Sequence, residues 1–163
     1  MPRRSVRENK NIYQLSRERA GLTREAAAER LEFVTAARIE KIESERSEAH
    51  PEEVLAMAKV YEDPKLRNAY CTQECPIGKK YMARAEEKSL SQITLEMVVT
   101  LNELMSERDR LMEITVDGVV AEDEEQDFRA IRENLDRMSA AIESLKLWMD
   151  GPNGLKNLSA EKK

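Results

Sequence analysis

Glycine is scarce in this chain, five residues in 163, and so are cysteine at two, histidine at one and aromatic residues at 4%. So few glycines leave no room for a phosphate-cradling loop or an active-site loop architecture. The single histidine, His50, has no serine or cysteine nucleophile set beside it and stands just before Pro51, where a helix-entry role is expected. Neither an enzymatic activity nor a cofactor is therefore expected. No apolar run approaches the roughly 18 residues needed to span a bilayer, and the opening MPRRSVRENK lacks the apolar core of an export signal. A cytoplasmic protein without a membrane partner is the expectation. Reducing conditions there disfavour a disulfide between Cys71 and Cys75. With only two Phe and one Trp, 36% charged residues and no alternating β-branched runs, the chain reads as all-α.

Five short helices are expected over residues 11–62. In NIYQLSRERA, Ile12, Leu15 and Ala20 fall at near-helical spacing, and Gly21 supplies a left-handed stop. Thr23 can cap a second helix, Arg24 to Leu31, with a small-residue face of Ala26, Ala27, Ala28 and Leu31. Thr35 can cap a third, in which Ile39 and Ile42 point inward and Ala36, Ala37, Arg38, Glu40 and Lys41 are left for solvent or a partner. Two helices joined by three or four residues, the second with an exposed face, have the geometry of a major-groove reader.

Leu15, Arg19, Gly21, Leu22, Thr23 and Ala28, followed by Leu31, Val34, Ile39, Ile42, Glu43, Pro51, Leu55, Ala58 and Tyr61, resemble the phage-repressor-like helix-turn-helix family, also called Xre or Cro-like. The resemblance covers about one third of the chain. It implies sequence-specific binding of double-stranded DNA by a bacterial or phage transcriptional regulator. The third helix would lie in the major groove, with Thr23 and Arg24 near the phosphates. The DNA-contacting set is then Thr23, Arg24, Thr35, Ala36, Ala37, Arg38 and Lys41, with Arg38 and Lys41 as donors and the alanines offering methyl contacts to thymine. Phe33 and Glu45 stand where that family has glycine, so both turns are expected to form without a positive backbone angle.

Residues 1–62 carry no net charge and the remainder carries −5. A neutral reading head lacks the phosphate attraction that dominates affinity, so either clustered cations or two copies on two half-sites are needed. Arg3, Arg4, Arg7 and Lys10 form a basic arm over residues 1–10, expected to be flexible.

The second half shows another pattern. Phe128, Ile131, Leu135, Met138, Ile142, Leu145 and Met149 alternate spacings of three and four on a helix that ends at Gly151-Pro152. The helix before it, roughly Ser89 to Thr115, repeats Leu90, Met97, Leu104 and Leu111 every seven residues. With Asp117-Gly118 as a turn between them, residues 89–150 read as an antiparallel helical hairpin. Such wide apolar stripes want a further surface, so the hairpin is the expected homodimer interface through Leu104, Leu111, Phe128, Ile131, Leu135, Met138, Ile142 and Leu145.

Residues 67–88 are expected as a linker containing Cys71 and Cys75, and 151–163 as a flexible tail. No metal is assigned; Cys71 and Cys75 are the only candidate ligands, and packing as small apolar side chains is the favoured account. The expected architecture is a five-helix repressor-like helix-turn-helix domain over 11–66 followed by the hairpin. The expected function is a dimeric transcriptional regulator on a palindromic operator. The alternative is a protein-interaction adaptor, antirepressor-like, that keeps the fold without DNA readout.

Overall fold

The computed structural model describes residues 10–151 and residue 154, and among these there are eight helices and no strand. The chain divides into two compact units, Met1–Met82 and Ala83–Lys163. Most of the expected basic arm and most of the expected tail lie outside the described residues. Lys10, the last of the four cations assigned to that arm, is tied to Glu18 at 2.6 Å.

The first unit contains α1 (Ile12–Arg19), α2 (Arg24–Leu31), α3 (Ala36–Glu43), α4 (Pro51–Val60), α5 (Lys65–Gln73) and α6 (Pro76–Tyr81). Side-chain caps set the beginnings of the first three. The Asn11 carboxamide oxygen accepts from the Gln14 N–H at 3.0 Å, Thr23 Oγ1 from the Ala26 N–H at 3.1 Å, and Thr35 Oγ1 from the Arg38 N–H at 3.2 Å. The core gathers Ala27, Leu31, Val34, Ile39, Ile42, Val54, Met57 and Leu66.

α1 departs from the expected apolar face. Its buried residues are Tyr13, Gln14, Ser16 and Arg17, whereas Leu15 is exposed. Polar side chains can face inward here because each has a partner: Ser16 Oγ donates to Asp63 at 2.6 Å, and Tyr13 Oη to Glu74 at 2.8 Å. Burial and the neighbouring Glu74 raise the Tyr13 phenol above its ordinary value, so it remains a donor.

The region expected as a linker is largely helical. α5 and α6 occupy most of it, and Gly78 is what allows α6 to lie against α5, since a Cβ there would sit 2.0 Å from the Cys71 carbonyl oxygen. Cys75 caps α6, its Sγ accepting from the Gly78 N–H at 3.5 Å. The two thiols are free and half-buried.

The expectation about the turns is also corrected. Glu32 (φ 64°), Glu45 (φ 59°) and Glu62 (φ 53°) all adopt the left-handed region just past a helix end. Phe33 does not; the angle expected to be missing there is taken up one residue earlier. A side chain with a Cβ in that region costs about 1–2 kcal/mol.

The second unit is built on α7 (Leu90–Ile114) and α8 (Glu125–Asp150). Ser89 and Gln92 form a reciprocal capping box at the start of α7. Arg110 pairs with Asp127 at 2.7 Å, Asn134 donates to Glu107 at 2.7 Å, and Arg137 pairs with Glu103 at 2.7 Å. One partner's number rises as the other's falls, so the helices run antiparallel. The side chains sealed between them include Ile93, Thr100 and Ile114 from α7 and Ile131, Asn134, Met138, Ala141 and Ser144 from α8.

Candidate nucleic-acid interface

α2 ends at Leu31, a short turn through Glu32, Phe33 and Val34 follows, and Thr35 opens α3. Ile39, Ile42 and Glu43 point into the core. At about 100° per residue, the opposite direction belongs to Ala37 and Lys41, with Glu40 on one flank and Arg38 on the other. Ala37 and Lys41 are indeed exposed. Residues 14–66 match the helix-turn-helix domain family. The match spans about one third of the chain and supports a helix-turn-helix DNA-binding domain. No curated protein and no solved structure matches the chain.

Within the helix-turn-helix domain, α3 is held in place by two clusters of charge. The first is buried. The Glu43 carboxylate, its side chain 1% exposed, accepts from Arg17 Nε at 2.5 Å and Nη2 at 2.9 Å, and from Arg24 Nε at 2.8 Å. Arg17 Nη1 donates to the Leu22 carbonyl at 2.7 Å. One carboxylate thus joins the end of α3 to α1 and α2. Arg24, expected at the phosphates, is 34% exposed and already committed to Glu43.

The second cluster lies at the opposite end of α3. Arg38 Nε and Nη2 donate to the two oxygens of Glu53 at 2.7 and 2.8 Å; Nη1 donates to Ser47 Oγ at 2.5 Å and Nη2 also to the Glu48 carbonyl at 2.8 Å. Glu53 in turn accepts the His50 N–H at 2.8 Å at the start of α4. The Arg38 guanidinium holds the Glu53 carboxyl below its ordinary value; burial opposes this and the His50 N–H reinforces it. Arg38 therefore ties α3 to α4, and the donors that would address a base are in use.

On the outward face the chemistry is sparse. Thr35 and Ala37 are exposed, Ala36 is half-buried, and the Lys41 side chain makes no hydrogen bond or ion pair among the described residues. Glu40 is paired with Arg46, whose Nε also donates to Ser44 Oγ at 2.9 Å, so its charge toward phosphate is partly neutralised. Phe33, in the turn leading to Thr35, is 62% exposed.

The sequence marks the Thr23 and Thr35 caps, and Glu43 only as part of the family resemblance, without its buried ion-pair role; Glu53 and Asp63 go unmarked. The fourth-helix entry His50-Pro51-Glu52-Glu53 has a capping-box spacing that could have flagged Glu53. Nothing local flags Glu43, whose partner Arg17 is 26 residues away.

For the hairpin set, Ile131 and Met138 are buried against the neighbouring helix of the same chain, and Leu104, Leu111 and Leu145 are half-buried. Phe128, Leu135 and Ile142 are exposed. No group of three or more His, Cys, Asp and Glu side chains suited to a metal occurs among the described residues, and no helix there is long and apolar enough to cross a membrane.

Proposed function

We propose that this protein is a transcriptional regulator that lays α3 in the DNA major groove and acts as a homodimer, paired through its hairpin, on a palindromic operator. The observation that carries this reading is the capped helix-turn-helix with Thr35, Ala37 and Lys41 exposed on the outward side of α3. Among the described residues of that face, Lys41 is the cation without a side-chain partner, placed to meet a phosphate.

Dimerisation is supported by what the hairpin leaves uncovered. On α7, Val98, Leu101, Met105 and Met112 are exposed along a band rotated by roughly 100–160° from the sealed Thr100 side. On α8, Phe128, Leu135 and Ile142 repeat every seven residues and are rotated by roughly 50° in the same sense from the sealed Ile131–Met138 line. In an antiparallel pair, rotations in the same sense bring both lines to one side of the hairpin. Two such faces make a four-helix bundle. Covering these half-exposed side chains on both copies recovers on the order of 10 kcal/mol, comparable with the ~4–15 kcal/mol that association opposes. Two linked heads then compensate for a domain with no net positive charge, reaching half-sites about 34 Å apart.

Binding of the full chain to random duplex DNA at low ionic strength tests the reading. Affinity should fall steeply with added salt, and Lys41→Ala should lower the slope of log affinity against log salt by about 1. Failure to retain any duplex under those conditions overturns it and favours the protein-interaction adaptor.

A further inference from the structure

We infer that the amino-terminal end of α3 reads the 5-methyl group of pyrimidines, thymine above all, and that arginine–guanine pairing plays no part there. This rests on the DNA-binding reading above and says what kind of base edge that surface takes.

Arg38 is already engaged within the protein. A guanidinium that reads guanine presents two N–H groups to O6 and N7. In this protein Nε and Nη2 already grip both oxygens of Glu53, and the remaining bonds go to Ser47 and the Glu48 carbonyl. Freeing the fork would leave Glu53, a buried residue, without its cation, and a contact to one base does not offset that loss. Arg24 lies on α2 rather than at this tip and gives its Nε to Glu43, and Arg46 bonds Glu40 and Ser44. Lys41 stands more than one turn further along the helix, and from there it serves a phosphate or a more distant base.

What remains at the tip is apolar. The Thr35 methyl, the half-exposed Ala36, the exposed Ala37 and the Phe33 ring lie within five consecutive residues. Among major-groove base edges the one apolar feature is the methyl on thymine C5. A phenyl ring 62% exposed beside the reading helix has no covering group among the described residues, and thymine methyls supply one. Since 5-methylcytosine carries the same methyl at the same ring position, the surface also takes methylated cytosine.

The experiment substitutes the DNA, so folding of the protein is untouched. A duplex selected by the full chain from a random library is remade with deoxyuridine at each thymidine in turn, which removes one methyl and preserves every hydrogen bond. One or two positions per half-site should weaken binding by about three- to fivefold each, as expected for one lost methyl contact. Cytosine in place of those thymines should gain about the same factor on 5-methylation. In Phe33→Ser, the difference between thymine and uracil duplexes should shrink. If the selected duplex binds equally well with uracil at every position, methyl reading is wrong and DNA binding stands. If no duplex is selected at low salt, both fall together.

Discussion

Replacing Glu43 with glutamine probes the joint that fixes the recognition helix. The side chain keeps its size, but an NH2 group now replaces one oxygen before two guanidinium groups, and the charge that Arg17 and Arg24 share is gone. Arg17 is buried and keeps the Leu22 carbonyl and at most the one carboxamide oxygen as acceptors. Removing one member of a buried ion pair costs about 3–5 kcal/mol. Arg24, a third exposed, adds no more than the ~1 kcal/mol of a surface pair. Against a total stability of about 5–15 kcal/mol, Glu43→Gln removes a large share and should lower the melting temperature of the first unit by about 12 °C or more. Arg24→Ala should cost only about 1 kcal/mol. The single tryptophan, Trp148, lies in α8. Its fluorescence follows the hairpin, while circular dichroism follows both units, so a shift seen by dichroism and absent from fluorescence assigns the loss to the helix-turn-helix domain. A Glu43→Gln protein melting within about 3 °C of the parent, or one more stable than Arg24→Ala, would mean that this joint does not hold the domain together.

Arg38→Met and Glu53→Gln should each destabilise by about 1–3 kcal/mol, and the double substitution by little more than either alone, because they share one interaction; neither should change the salt slope of DNA binding. The Glu53 carboxyl is held below its ordinary value of about 4.5. Its contribution is therefore full above that pH and lost as acid protonates the folded state, and thermal melts of Glu53→Gln should lose less stability below about pH 4.5 than the parent does. Leu135→Lys changes a side chain that is 51% exposed, so helicity should survive while the mass in sedimentation falls to that of one chain; an unchanged dimer would remove this face from the interface. Tyr61 Oη is buried with no hydrogen-bond partner among the described residues, and Tyr61→Phe should be neutral or stabilise by up to about 1 kcal/mol in chemical denaturation. Glu45→Gly relieves a left-handed backbone and should stabilise by about 1 kcal/mol in the same assay, less the extra chain entropy of glycine.

Features under short-range chemical control are legible along the chain. Thr23, Thr35 and Ser89 announce their helices because a cap acts within three residues, and Gly151 closes α8 as the Gly-Pro pair implies. The all-α class followed from composition, and the helix-turn-helix from residues packed into a third of the chain. Tertiary structure alone decided three things. It turned the inward face of α1 polar, because Ser16, Tyr13 and Arg17 meet partners 26 to 61 residues away that no periodicity can register. It divided the broad stripe of α8, sealing Ile131 and Met138 against α7 and leaving Leu135 and Ile142 outside; a stripe wider than one helix contact fixes that a face is apolar, not which half its neighbour covers. And it took Arg38 away from solvent. A charged side chain on an exposed helix looks free in sequence, and whether it is free depends on a carboxylate fifteen residues later arriving within hydrogen-bond reach.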